Sequence, residues 1–308
     1  MTFVVAGHTG LVGSAIYETL LARGESVTGI NSQVVDLLDR KATFEFLHDA
    51  KPSVVIDAAA IVGGIGANNS FPVDFLSKNL QIQNNLMDAS HSANVERFVF
   101  LGSSCIYPRE CPQPIKEDYL LTGPLEQTNS AYAIAKISGI ELVRSYRKQF
   151  GRKWISLMPT NSFGPNDNFN LKNGHVLPAL INRFVTAMGI GSYSVTLWGS
   201  GHARREFIHS QDLADATLLA LEKYDSDQHL NIGTGEDLTI KELATLIATE
   251  SGFQGEIAWD STKPDGTPRK VLDVTRLKAL GWSPKISLRE GIASTINWFR
   301  SNHSKVRT

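Results

Sequence analysis

Short apolar runs and amphipathic stretches alternate along the first half of the chain. Thr2–Ala6, Ser26–Ile30, Ser53–Asp57, Arg97–Leu101 and Trp154–Met158 read as strands of the buried type. Between them Ser14–Arg23, Arg40–Lys51, Phe71–Ala93 and a segment ending near Phe150 carry apolar positions at helical spacing. Such alternation predicts a parallel sheet with helices on both faces. The second half is more mixed. Val176–Met188 and Gln211–Lys223 read as helices, and Ser194–Leu197 and Leu230–Ile232 as strands. Capping boxes at Thr239/Glu242 and Ser287/Glu290 announce two further helices. The pattern predicts an α/β protein: a doubly wound parallel sheet with a smaller C-terminal α/β unit.

The first strand runs into Gly7-His8-Thr9-Gly10-Leu11-Val12-Gly13 and then into a helix. That context gives the glycines a purpose. Gly7 permits the tight turn, Gly10 lets the backbone approach a pyrophosphate, and Gly13 lets helix and strand pack closely. The helix N-terminus offers free N–H groups to phosphates. A Rossmann dinucleotide-binding domain is therefore expected. Where an acid would select NAD, the chain has Asn31-Ser32-Gln33, which leans toward NADP(H). Asp36 and Asp39, just beyond, suit either the adenine edge or the cap of the next helix.

Composition narrows the partners. Net charge is −1, so no basic field points to nucleic acid or an anionic membrane surface. The two cysteines, Cys105 and Cys111, imply no disulfide framework, and the N-terminal apolar run is too short for a signal or a span. A cytoplasmic protein is expected. Cys111, in a proline-rich loop, reads as incidental.

Tyr132 and Lys136 lie at i and i+4 of a predicted helix, so they share a face. A neighbouring ammonium favours the phenolate, which makes the pair a candidate proton donor. Ser103, Ser104 and Cys105 follow the strand that ends at Leu101-Gly102, where an open sheet binds ligands. Small turn-forming residues, Pro159-Thr160-Asn161-Ser162, follow the next strand. Each further candidate has an ordinary alternative. Cys105 suits a small buried hydrophobe and His175 the N-terminus of a helix. Trp198 suits the core, and Arg183, Arg204 and Arg205 a solvated surface.

The chain is identified by its motifs as similar to the extended short-chain dehydrogenase/reductase family. Within it, four stretches resemble the 3,5-epimerase/4-reductases of GDP-4-keto-6-deoxy-D-mannose: Gly102–Pro108, Tyr132–Gly139, Pro159–Phe169 with His175–Pro178, and Lys263–Lys270. The likeness spans Phe3 to about Phe299. It implies an NADP-binding domain over 1–160 plus about 206–235, a substrate domain over 161–205 and 236–308, and a homodimer. It implies hydride catalysis by Ser103, Tyr132 and Lys136, with Cys105 and His175 as the acid–base groups of epimerisation. Cofactor contacts are implied for the glycine loop, Leu101, Gly102, Ser104, Lys136, Pro159–Ser162 and His175. Contacts to a GDP-linked keto sugar fall on Arg183, Trp198, Arg205 and Asp265, and no metal is called for. Thr9 stands where some members carry arginine, and Ser162-Phe163 replaces their Leu-Tyr. A related enzyme that inverts C5 alone and a non-catalytic NADP-binding module are the alternatives.

Overall fold

The computed structural model describes residues 1–171, 173–263, 266–302 and 306. The first half runs β1 (Thr2–Ala6), α1 (Leu11–Ala22), β2 (Ser26–Ile30), α2 (Arg40–Ala50), β3 (Val54–Asp57), α3 (Ile65–Ser70), α4 (Asn79–Ser92), β4 (Arg97–Leu101), α5 (Ser130–Phe150) and β5 (Ile155–Pro159). The second half continues with β6 (Asn161–Phe163), α6 (Val176–Gly189), β7 (Ser194–Trp198), β8 (Arg204–His209), α7 (Ser210–Lys223) and β9 (Leu230–Ile232). It ends with β10 (Asp237–Thr239), α8 (Ile240–Ser251), β11 (Glu256–Asp260), β12 (Arg269–Lys270), α9 (Thr275–Ala279) and α10 (Leu288–Ser301).

Six parallel strands form the main sheet in the order β2-β1-β3-β4-β5-β9. The order reverses at β1/β3, and the crevice beyond the carboxyl ends there is the ligand site of such sheets. Nearly every residue of β1, β3, β4 and β5 is buried, which accounts for their unbroken apolar runs. A second core gathers Phe163, Phe169, Phe184, Leu243, Ile247, Ile296 and Phe299, around a small sheet in which β8 pairs with β6, β10 and β12. β11 and β7 pair separately. Leu272, Val274, Leu277 and Trp282 leave this unit and pack into the core of the main sheet.

Local chemistry sets the element ends. Gly151 ends α5 in the left-handed conformation at φ 66°, and both expected capping boxes form. Asp39 accepts the Ala42 N–H at 3.1 Å, so it caps α2. Three stretches differ from expectation. No helix was expected between β3 and Phe71, yet α3 forms there, and the long helix expected over Phe71–Ala93 carries a wider turn over Asp74–Lys78. The turn-forming stretch Pro159–Ser162 runs into β6, because tertiary pairing with Phe207–His209 overrides its turn propensity. Among the described residues no helix is long and apolar enough to cross a membrane.

Candidate active site

The glycine loop is built for close approach. Gly7 adopts φ 78°, and a Cβ on Gly13 would lie 2.1 Å from the Gly7 carbonyl oxygen. Gly10 begins α1 with no side chain capping it, so the first N–H groups of that helix face the crevice uncapped. The His8 ring lies over Gly29, where a Cβ would stand 2.3 Å from it. Thr9, Leu11 and Val12 complete the turn. A nucleotide diphosphate fits this cradle: the backbone is bare, the dipole has the right sign, and larger residues would close it.

Beyond β4, Gly102 donates to the Leu157 carbonyl at 2.8 Å and has no room for a side chain against Met158. Ser103 then starts a single tight turn over Ser104–Ile106, its hydroxyl accepting the Cys105 N–H at 3.2 Å. That turn fixes Ser103 and Cys105 beside each other at the strand end. Helix α5 covers them. Gly139 admits the Phe100 ring against the helix backbone, so α5 sits close on β4. Lys136 is buried and donates to the Leu101 carbonyl at 3.0 Å, with its ammonium 5.9 Å from the centre of the Tyr132 ring. The Tyr132 hydroxyl takes no hydrogen bond from any described residue.

The electrostatics of the pair differ from the simple expectation. Desolvation pushes the Tyr132 phenol well above its ordinary value, and Cys105 and Asp57 add to the rise. Tyr132 keeps part of its surface in the crevice, but protein encloses it on most sides. Lys136 spends a donor on the Leu101 carbonyl and does not offset that enclosure. Burial pushes Lys136 itself down, opposed by Asp57. Tyr132 is thus held firmly as a proton carrier.

His175 stands at the N-terminus of α6 and presents its ring without capping the helix. Enclosure in the crevice, then the Lys270 charge, hold it below its ordinary value. Its surface is exposed, which tempers the first cause and gives weight to the second. Lys270 also donates to the Cys105 sulfur at 3.6 Å. One ammonium therefore contacts Cys105 and acts through its charge on His175, an arrangement that sequence reasoning missed. Its only trace was membership of the Lys263–Lys270 stretch. Asp57 was missed as well, because it looked like the end of an apolar strand.

Thr160 and Asn161 are tied to β8: the Asn161 amide donates to the Glu206 carbonyl at 2.8 Å and the Thr160 hydroxyl reaches the same oxygen at 3.4 Å. Pro159 ends β5 and Ser162 lies in β6, both at the seam between the cores. The candidate sugar-nucleotide contacts lie further out. Arg183 donates to the Thr196 carbonyl at 3.3 Å, and Trp198 is 66% exposed with the Lys263 ammonium 5.9 Å from its ring centre. An aromatic face this open is available for stacking. The two neighbouring arginines separate: Arg204 is spent on Asp237 at 2.9 Å, while Arg205 donates to the Arg204 carbonyl at 2.8 Å. Asp265 lies outside the described residues. No group of three or more His, Cys, Asp or Glu among the described residues is arranged to hold a metal.

Known proteins resemble the chain as a whole. Residues 3–233 match the model of the "NAD dependent epimerase/dehydratase family". GDP-L-fucose synthase 1 of Arabidopsis thaliana is 51% identical over 97% of this chain and 93% of its own length. GDP-L-fucose synthase of Escherichia coli K12 is 47% identical over 98% of both chains. Among solved structures, a GDP-L-fucose synthetase from Naegleria fowleri bound to NADP superposes with a TM-score of 0.92 at 29% identity, covering 100% of this chain and 96% of that one.

Proposed function

The chain belongs to the NAD dependent epimerase/dehydratase family, and from that premise we propose its reaction: inversion of C3 and C5 of GDP-4-keto-6-deoxy-D-mannose and NADPH-dependent reduction of C4, giving GDP-L-fucose. The observation that carries this reading is that one turn after β4 holds Ser103 beside Cys105, with Lys136 bonded to Leu101 at the strand end and Lys270 to the Cys105 sulfur. On this reading Ser103, Tyr132 and Lys136 are the reducing set, and Cys105 and His175 the proton-transfer set, with Lys270 in contact with Cys105 and its charge felt at His175.

The glycine loop and the ends of β4 and β5 would hold NADPH, which would supply the hydride when bound. Gly7–Gly13 and the N-terminus of α1 would hold its diphosphate; Leu101, Gly102, Ser104 and Pro159–Ser162 would line the nicotinamide end. Ser103 and Tyr132 hydrogen-bond the C4 oxygen, and Tyr132 gives that oxygen its proton as the alkoxide forms. Lys136 would hold the ribose, and its ammonium lies 5.9 Å from the ring centre of Tyr132, which is left as phenolate after the transfer. The same C4 carbonyl acidifies the C3 and C5 hydrogens. Cys105 and His175 remove and return those protons from opposite faces, since a thiol and an imidazole both exchange protons near neutrality. Tyr132 and Ser103 stabilise the enolate in between. Arg183, Trp198, Arg205 and Asp265 bind the GDP part, with arginine suited to the diphosphate and tryptophan to a planar ring.

The nucleotide module is 1–160 with about 206–235, and the substrate module is 161–205 with 236–308, from which the segment around Leu272–Trp282 packs back onto the first core. The working unit is a homodimer in which a second copy covers the exposed Phe71, Val73 and Ile134. It works in the cytoplasm, where Cys105 stays a thiol. The test is NMR analysis of products after incubation with NADPH and the GDP-keto sugar in heavy water. GDP-L-fucose deuterated at C3 and C5 is expected. Exchange at C5 alone, or no NADPH consumption by folded protein, would overturn the assignment.

A further inference from the structure

Asp57 closes β3 at the crevice and is 1% exposed. Its register partner on β4 is Phe100, and partners in adjacent strands project to the same face of a sheet. That face is covered by α5: the Phe100 ring abuts Gly139, and the Lys136 ammonium stands 4.8 Å from the ring centre. Asp57 and Lys136 therefore enter one buried layer from opposite sides. Asp57 Oδ1 accepts the Ala59 N–H at 3.1 Å, while Oδ2 has no partner among the described residues. Lys136 gives one of its three donors to the Leu101 carbonyl and no other to a described residue. Two opposite charges buried this incompletely are costly unless the arrangement serves something.

We propose that Asp57 is the positioning residue of the reducing set: its carboxylate is the counter-charge that keeps Lys136 an ammonium and holds it beside Tyr132. This rests on reading Tyr132 and Lys136 as the reducing pair. Burial pushes the Asp57 carboxyl up to about 6, against the pull of the Lys136 ammonium and of the Ala59 N–H. The other ionisable groups facing this layer are Tyr132 of α5, which burial raises, and Cys105 after β4, which adds to that rise. On the β1 side the register partner is the uncharged Ala6.

The test begins without turnover. Infrared difference titration of the full-length protein follows the Asp57 carboxyl, identified by its disappearance in Asp57→Asn. A midpoint near 6 is expected in the native protein, moved upward by about one unit or more in Lys136→Met, where the cation is gone. An unmoved midpoint overturns the counter-charge role. If Asp57→Asn does not fold, carbon-13 aspartate labelling with Asp57→Glu as the reference identifies the band. The second measurement is the pH profile of kcat for NADPH oxidation. Asp57→Asn is expected to lose about tenfold in kcat, with its alkaline limb lowered by about one unit and KM for the keto sugar within about twofold. Asp57→Glu, which keeps the charge, recovers part of the rate. A native profile in Asp57→Asn overturns the proposal. Failure of the native enzyme to oxidise NADPH would instead overturn the functional reading and leave the infrared result standing.

Discussion

Tyr107 and Tyr132, both beyond β4 in sequence, meet opposite fates. Tyr107 is 4% exposed and its hydroxyl is fully engaged, with His229 Nε2 at 3.0 Å and the Asn231 side-chain oxygen as partners. Asn231 in turn donates its side-chain amide to the Ile115 carbonyl at 2.9 Å and its backbone N–H to the Glu117 carboxylate at 3.1 Å. Tyr132 is also enclosed, yet its hydroxyl has no described partner and faces the crevice. Desolvation raises both phenols. What separates them is unspent hydrogen-bonding capacity. A buried polar group whose bonds are made inside the protein holds the fold; one left open toward a crevice is held for a ligand.

The largest test of this contrast is Tyr132→Phe. Reduction is expected to fall about 10³-fold or more, since the proton for the C4 alkoxide loses its donor. Proton exchange at C3 and C5 should survive in part, and the unfolding midpoint should move little. Stopped-flow NADPH oxidation beside heavy-water exchange reads the two activities separately. A large loss of stability would mean that Tyr132 is a structural tyrosine like Tyr107.

Next in size is the proton-transfer set. Cys105→Ser or His175→Ala is expected to slow exchange about 10²-fold while the reducing set stays assembled. Reduction of a keto sugar already inverted at C3 and C5 should proceed near the native rate. If Cys105→Ser left both inversions at full speed, the Lys270–Cys105 contact would be only a surface hydrogen bond.

How much of this was readable in advance follows from the range of each interaction. The Tyr132/Lys136 pair is four residues apart on one helix, and the glycine loop is contiguous, so both were legible. The capping boxes and the strands of the main sheet depend on neighbours too. Lys270 meets Cys105 across 165 positions of chain, through the pairing of β12 with β8, and no local pattern carries that. Asp57 was hidden for a different reason: its charge closes an otherwise apolar strand, and only the register with Phe100 turns it toward Lys136. The direction of the Tyr132 shift was misjudged for the same cause, because spacing reveals the ammonium but not the enclosure around both groups.

The structural tyrosine predicts a stability effect with a pH signature. Tyr107→Phe leaves His229 Nε2 and the Asn231 oxygen unpaired in the interior, at a cost of about 1–3 kcal/mol. kcat per folded molecule should not change. Burial holds His229 down to about 4 from an ordinary 6.5. The unfolded chain therefore binds the proton first: this contribution to stability is full above pH 6.5 and is lost as pH falls toward 4, amounting to about 3 kcal/mol. In His229→Gln the stability curve over that interval should flatten, as denaturant unfolding at several pH values would record. An unchanged slope would assign the acid sensitivity to other groups.

The smallest effect asks whether the contrast extends to an acid beside the cofactor cradle. Asp39 could have served the adenine edge or the helix cap. Its carboxylate already accepts the Ala42 N–H at 3.1 Å, and the Thr43 hydroxyl donates to its carbonyl at 2.8 Å. By the rule drawn from Tyr107, a carboxylate committed inside the fold is structural. Asp39→Ala should therefore cost about 1 kcal/mol of stability through the lost cap and leave the NADPH dissociation constant within about twofold. Asp39→Asn, which also caps, should restore most of that stability. Should Asp39→Ala weaken NADPH by tenfold while stability holds, then a committed hydrogen bond does not exclude ligand contact, and the distinction between Tyr107 and Tyr132 would have to rest on exposure to the crevice alone.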